Sequence, residues 1–576
     1  MSSPSYLTNL ALEILQLIIE HTHASAHWPL AQTCRFIHRN SKPILERHRE
    51  AHQTYRITSD LDPSTITGLL WSVFSHGVDS IEAWHVREFE VWTDRDDQDP
   101  QGNNFKVWEV DAESGDLNIK EKIMPCVLSA DEMDHFCHKM MKIPDFYDKS
   151  PDFAGWVRES LDEGRDTFTK PLLLAYLPRL RALRYAQRSN ETNNLTLWKL
   201  CEFIDKCQSE GAWLPGLESL REVFFTIELY PTSEGVEDRP ALCRNTDYFC
   251  ALLNLPNMKE VYFSHMDGRR PSREISERFP KDIGPSLANI SNVQTIVLDM
   301  LQYDLDDALV DFIALVPRGL ENLAIRLHAN NRVKQQNIDR LIAALAKHQG
   351  SSLRRLCIHE DETIDGRSYL SWRKPEELAK FKKLRVANVS WCDVERGLGR
   401  YKDTESRSEL MDRLLKVFRD DLPATMRIAA IGRVGGANVF IPQKEREEYD
   451  HADFAFLDDA VEAMIRSDRY KDLKAVDVDY IRMEVYRMTG ILPLFPLSIK
   501  AARERGIHDC IGEYDVSYRM SMNGEFIPYP RRDCMVTGGF AREDRRRLCR
   551  TRDPHNFSIE GGEGFFRIED PSSDDE

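Results

Sequence analysis

The chain has 576 residues, a hydrophobic content of 41% and a formal net charge of −18 at pH 7. That length exceeds what one hydrophobic core usually supports, so we expect several domains or one elongated repeat domain. The negative charge would repel nucleic acids and anionic membranes, which argues against a general binder of either.

The cysteine pattern and the hydropathy bear on the compartment. The twelve cysteines are scattered singly from Cys34 to Cys549 without a CxxC pair, as is typical of a reducing compartment. The apolar run near the N-terminus is too short to span a bilayer, and no later segment approaches transmembrane length. We therefore expect a protein of the cytoplasm, the nucleus or both, with no membrane partner.

The first fifty residues predict three short helices. Thr8 or Asn9 can cap the first, Pro29 suits the first turn of the second, and the third begins near Ser41. The first helix has a very wide apolar face, formed by Leu10, Leu12, Ile14, Leu15, Leu17, Ile18 and Ile19. Helices this small bury too little apolar surface to be stable alone, so they need a partner protein or the body of the chain.

Three segments of this region resemble the F-box. They are Leu10-Ala11-Leu12-Glu13-Ile14, Leu30-Ala31-Gln32-Thr33-Cys34-Arg35-Phe36 and Lys42-Pro43-Ile44-Leu45. The family begins with Leu-Pro-x-Glu-Ile, and Ala11 stands here in place of the proline. The resemblance implies docking to a Skp-type adaptor, and through it to a cullin. The adaptor-binding residues that it implies are Leu10, Ile14, Ile18, Leu30, Cys34 and Phe36. The alternative is a helical subdomain of some other protein.

Residues 51–170 predict a linker helix, an antiparallel ribbon and further helices. Apolar residues spaced three and four apart after Asp62 and Pro63 predict the linker helix, namely Ile66, Leu69, Leu70, Val73 and Phe74. Alternation over 86–93 and 105–110 predicts two strands, which we expect to pair around the polar loop 94–103. Ser129 and Glu132 predict a helix start. His135, Cys137 and His138 fit no zinc-ligand spacing, so we expect no metal site.

From residue 171 onward an aliphatic residue, a short turn and a brief strand recur. The copies lie at 177–185, 214–225, 255–263, 290–298, 319–325, 352–358, 381–386 and 473–478. Most follow a helical stripe such as Leu197, Leu200, Cys201 and Ile204. Repetition at roughly 26 to 48 residues is typical of a degenerate leucine-rich repeat, whose units stack because none can bury its apolar face alone. The alternative is a doubly wound α/β domain, although charges between the apolar strand positions argue against it.

The predicted fold class is therefore α/β, with a small N-terminal three-helix F-box-like module and an irregular leucine-rich-repeat-like solenoid. The predicted domains are the module at 1–50, the linker region at 51–170, the solenoid at 171–483, a C-terminal cap at 484–555 and an acidic disordered tail at 556–576.

No catalytic motif is present in the sequence. The glycine-rich segment 432–436 lacks both the G-x-G-x-x-G spacing and the lysine of a phosphate loop. We expect no enzyme, no cofactor and no nucleic-acid partner, but a substrate-recognition subunit of a cullin–RING ubiquitin ligase that holds an unidentified protein target. The alternatives are a repeat scaffold outside any ligase and an α/β enzyme with a concave active site.

Overall fold

The computed structural model describes most of the chain up to residue 511. The described ranges are 10–59, 63–76, 80–91, 105–110, 117–122, 130–141, 169–188, 195–228, 245–264, 288–301, 307–327, 335–360, 375–390, 422–434, 458–480 and 495–511, with isolated residues between them. These residues form two compact units. The first contains the described residues up to 228 together with 254–258, and the second contains 245–253 and the described residues from 259 onward.

The first unit is mixed helix and sheet. Its helices are α1 (Leu12–Glu20), α2 (His27–Ala31), α3 (Arg35–Asn40), α4 (Lys42–Tyr55), α5 (Pro63–His76), α6 (Ile81–His85), α7 (Ala130–Met141), α8 (Thr169–Tyr176), α9 (Leu195–Glu210) and α10 (Pro215–Ser219). Its strands are β1 (Ile57–Ser59), β2 (Glu88–Val91), β3 (Phe105–Val110), β4 (Leu117–Lys122), β5 (Ala182–Arg188) and β6 (Glu222–Glu228). Strands β1, β2, β5 and β6 form a parallel sheet in that order.

The described N-terminal region contains four α-helices and a 3-10 helix (Ala24–Ala26) up to residue 55, where the sequence predicted three helices up to residue 50. The extra helix arises because Cys34 is fully extended, with φ −159° and ψ 163°, and so separates α2 from α3. The expected caps of the first helix were wrong as well. Helix α1 begins at Leu12, so Ala11 holds the N-cap position, and no side chain caps the helix.

One apolar cluster holds these helices together. Its buried members are Leu15, Ile19, Ala24, Ile37, Ile44, Ala51 and Ile81, and the partly buried Leu30, Cys34, Leu45, Tyr55 and Trp84 pack against it. Because Ile81 and Trp84 belong to α6, the N-terminal helices share their core with the element that leads into β2. Helix α5 confirms its prediction, since all five of its predicted apolar residues are buried.

The expected ribbon between residues 86–93 and 105–110 was wrong. Strand β2 pairs in parallel with β1 and β5, whereas β3 pairs antiparallel with β4, Trp108 facing Ile119. The prediction assumed that neighbouring strands pair locally. Instead, β2 is buried along its whole length between two strands that are distant in sequence. The predicted loop 94–103 lies outside the described residues.

The second unit contains a parallel sheet of eight strands. They are β7 (Glu260–Ser264), β8 (Thr295–Leu301), β9 (Asn322–Leu327), β10 (Arg355–Glu360), β11 (Val386–Ser390), β12 (Ile428–Val434), β13 (Ala475–Tyr480) and β14 (His508–Ile511). The helices are α11 (Asn245–Leu253), α12 (Asp307–Leu315), α13 (Gln335–Gln349) and α14 (Pro496–Arg505), with further helical residues at 458–466 and a 3-10 segment at Pro375–Lys380.

The spatial order of these eight strands follows the sequence order from β7 to β14. The sequence separation of paired residues ranges from 26 positions, as for Leu301 and Leu327, to 47 positions, as for Ile428 and Ala475. This spacing agrees with the recurrence in the sequence. The alternation of helix and strand also continues past residue 483, because β14 pairs with β13.

A backbone ladder runs along the edge where the parallel strands begin. The carbonyl of the residue before one strand accepts the N–H of its counterpart before the next strand, as in Arg385 N–H to Arg354 O at 2.7 Å. Nine of the twelve parallel strands that the structure describes directly follow an arginine or lysine. Helix C-termini lie near this edge, since α13 ends shortly before β10, and their negative dipole ends favour cations.

Candidate partner-binding surface of the N-terminal helices

Exposed large apolar side chains are concentrated in the N-terminal helices. Nine such side chains are exposed among the described residues, and seven belong to the first 36 positions, namely Leu7, Leu12, Ile14, Leu17, Ile18, Trp28 and Phe36. The other two are Trp71 and Leu497. Contiguous exposed apolar surface is uncommon on soluble proteins and marks places where another molecule binds.

Helix α1 has two apolar faces. Leu15 and Ile19 are 1% and 2% exposed and belong to the core, whereas Ile14 and Leu17 are 49% and 52% exposed. At about 100° per residue, Ile14, Leu17 and Ile18 share a face that is rotated by about 130° from the buried pair. One side of the helix therefore holds the fold together, and the other side presents aliphatic groups to solvent.

The residues implied by the F-box resemblance fall into two groups. Ile14, Ile18 and Phe36 are exposed, while Leu10, Leu30 and Cys34 are partly buried. Leu30 and Cys34 pack against the cluster under the surface, so they support it as well as border it.

The implied set omits two of the most exposed apolar side chains. Leu17 follows Ile14 by three positions and extends the same face, and Trp28 is 59% exposed. The helical spacing already contained the signal for Leu17. The sequence offered no such signal for Trp28, because tryptophan side chains are highly buried on average.

A polar network joins α4 to α6. Arg47 on α4 makes two hydrogen bonds to the Glu82 carboxylate on α6, at 2.8 and 3.0 Å, and Ser72 and Ser80 also donate to that carboxylate. Burial alone would raise the pKa of Glu82, but the hydrogen bonds from Arg47 and Ser72 outweigh it and lower the pKa to about 2. Glu82 is therefore ionised near neutral pH.

Three histidines form a hydrogen-bonded chain between the same elements. His27 Nδ1 lies 2.8 Å from His48 Nε2, and His48 Nδ1 lies 2.8 Å from His85 Nε2. Burial, followed by nearby positive groups, lowers the pKa of His48 and of His85 to about 4. Burial also lowers the pKa of His27, although the carbonyls of Thr22 and Ile19 oppose that change. This histidine chain is therefore neutral near pH 7, and it joins α2, α4 and α6.

Among the described residues, no group of three or more histidine, cysteine, aspartate or glutamate side chains is arranged to hold a metal ion. No described helix combines the length and apolarity needed to cross a bilayer. A scan against protein-family models and a search of curated proteins both find no match for the chain.

Proposed function

We propose that this protein is the substrate-recognition subunit of an SCF-type cullin–RING ubiquitin ligase. The observation that carries the proposal is the second apolar face of α1, which is exposed although the opposite face packs into a complete core. An amphipathic helix with such a face is suited to lie in a hydrophobic groove of a partner. In this proposal the partner is a Skp-type adaptor.

The exposed face is large enough to contribute substantially to binding. Fully burying a leucine or isoleucine side chain is worth about 1.5–3 kcal/mol. Since Ile14 and Leu17 are about half exposed, covering each gains about 1 kcal/mol, and Ile18, Trp28 and Phe36 would add to this.

The backbone at Ala11 supports the resemblance where the sequence departs from it. Ala11 has φ −55° and ψ 143°, which is a conformation that proline adopts readily. The position that carries proline in the family therefore keeps a proline-compatible backbone here.

The second unit would hold the protein target. Its sequential order of parallel strands, each preceded by a turn and many by a helix, supports a leucine-rich-repeat-like solenoid over a doubly wound domain, in which the strand order reverses. Binding the target close to a ligase would raise its local concentration without any catalysis by this chain.

The test compares Leu17→Glu with Leu497→Glu in the full-length protein. Both replace an exposed leucine by glutamate, at 52% and 40% exposure, but only the first lies on α1. Binding of a purified Skp-type adaptor is measured by calorimetry. Leu17→Glu should weaken it by about 2 kcal/mol, or roughly 30-fold, and Leu497→Glu should leave it unchanged.

Failure of the wild-type protein to bind the adaptor, or equal binding by the two variants, would refute the proposal. The first result would favour a repeat scaffold that works outside any ligase.

A further inference from the structure

Arginines from successive strands meet at the edge of the first unit where the strands begin. Arg87 precedes β2, and its N–H donates to the carbonyl of Arg56, which precedes β1, at 2.9 Å. The Arg87 carbonyl in turn accepts the N–H of Arg181, which precedes β5, at 2.7 Å. Because neighbouring strands are about 4.8 Å apart, these backbone positions are closely stacked. Arg179 lies in the turn that leads to Arg181.

The side chains of Arg87 and Arg179 are held in place without an acidic partner among the residues that the structure describes. Arg87 Nη1 donates to the carbonyls of Trp84 and Val86 at 2.8 and 2.9 Å, and the Arg179 guanidinium lies 4.5 Å from the centre of the Trp84 ring. Within the described residues, neither arginine forms an ion pair with a carboxylate. Arg181 differs, because it pairs with Glu222 at 2.9 Å.

The electrostatic environment of Arg87 and Arg179 is positive, whereas Arg56 and Arg181 also interact with the buried carboxylate of Glu88. Burial and the charges of Arg179 and Arg56 lower the pKa of Arg87 to about 10. Burial comes first for His85 also, and the further groups that lower its pKa, namely His48, His52, Arg87 and Arg179, are all basic. Such an accumulation of basic side chains is unexpected in a chain of net charge −18.

We propose that Arg87 and Arg179, with Arg56, His52 and His85 around them, form a binding site for a phosphoryl group. Together these five residues are called the cationic corner. Guanidinium groups bind phosphate oxygens through paired, charge-assisted hydrogen bonds, and two of them match a doubly charged oxyanion. Arg179 and His52 are exposed and Arg87 is partly exposed, so the site is open to solvent.

The source of the phosphoryl group is a soluble molecule. A flat anionic membrane would reach exposed Arg179 more easily than partly buried Arg87, and the negative charge of the whole chain would repel it. A small phosphorylated compound experiences mainly the local field. The inference goes beyond the proposed ligase function and does not depend on adaptor docking.

The test measures inorganic phosphate binding to the full-length protein by calorimetry at constant ionic strength. Arg179→Gln should weaken binding about tenfold or more, because a charge-assisted pair is lost. Arg39→Gln is the matched control, since Arg39 is exposed and lies on α3. Arg179→Lys, which keeps the charge but not the planar fork, should give an intermediate affinity. Because Arg87 also binds two carbonyls, the test relies on Arg179.

Two further measurements complete the experiment. Bound phosphate should raise the pKa of His85 in a histidine NMR titration, since an anion then offsets the neighbouring cations. Sedimentation with phosphatidylinositol-phosphate vesicles tests the lipid source. An Arg179-dependent affinity for these vesicles that exceeds the affinity for inorganic phosphate would overturn the assignment to a soluble ligand. No phosphate binding by the wild-type protein, or equal weakening by Arg39→Gln, would overturn the site.

Discussion

Acidification should loosen the N-terminal helices by protonating the histidine chain. His48 and His85 have folded-state pKa values of about 4, below the ordinary value of 6.5, so the unfolded chain binds protons first as the pH falls. Their contribution to stability is therefore present above pH 6.5 and is lost as the pH falls from 6.5 towards 4. Each shift corresponds to about 3 kcal/mol at full strength, and solvent contact reduces this to about 1–2 kcal/mol.

The hydrogen-bond geometry of the histidine chain indicates at which pH most of this stability is lost. Three neutral histidine rings carry three N–H groups in total, and each of the two N···N contacts needs one of them. One added proton can therefore be placed at an outer end of the histidine chain with both hydrogen bonds intact. A second added proton would put two N–H groups into one contact of 2.8 Å. We therefore expect about 3 kcal/mol of destabilisation in total, most of it at the acidic end of the range.

Hydrogen exchange of α2, α4 and α6, corrected for the intrinsic pH dependence of amide exchange, would measure this effect. His48→Gln should lower protection near pH 7 by about 1–3 kcal/mol because hydrogen bonds are lost, but should flatten its fall with pH. His38→Gln is the control, since His38 is exposed. A pH dependence that is the same in the wild type and in His48→Gln would refute the reasoning.

Three further predictions concern stability. Leu15→Ala should destabilise the N-terminal helices by about 2–5 kcal/mol, because Leu15 is buried. Ile14→Ala should cost less than about 0.5 kcal/mol beyond its effect on helix propensity, because Ile14 is exposed. Urea denaturation measures both effects. Gly216→Ala should cost about 3 kcal/mol in thermal denaturation because its Cβ would lie 1.8 Å from a backbone oxygen of α8, whereas Gly319→Ala, whose nearest neighbour is at 3.8 Å, should be nearly neutral. Ala11→Pro should stabilise α1 by about 0.4–1 kcal/mol, because its φ of −55° already suits proline, and a loss of stability would contradict this.

Much of the fold could be predicted because local periodicity is strong. The stripe of Leu197, Leu200, Cys201 and Ile204 is buried within α9, and the strands at most of the recurring turns were found. Strands β1, β4, β12 and β14 were not predicted, and for β14 there is a physical reason. β14 has only four residues, two of them polar, and it is defined by pairing with β13 rather than by its own pattern.

The candidate site could be predicted only in part. The stripe on α1 was visible, but which of its apolar residues pack inward depends on α6, whose Ile81 completes the core. The cationic corner could not be found by local spacing, because Arg56, Arg87 and Arg179 are far apart in sequence and meet only when β1, β2 and β5 pair. A signal did exist, since basic residues recur directly before most strands.

The sequential order of strands β7 to β14 also determines how the second unit comes apart. Each inner strand pairs only with the strands before and after it, so opening at one end breaks one interface and leaves the others intact. Strand β14 is the shortest of the eight, and among the described residues its only paired neighbour is β13. Unfolding of the sheet should therefore be progressive, beginning with fraying at β14, and should not be a single all-or-none transition.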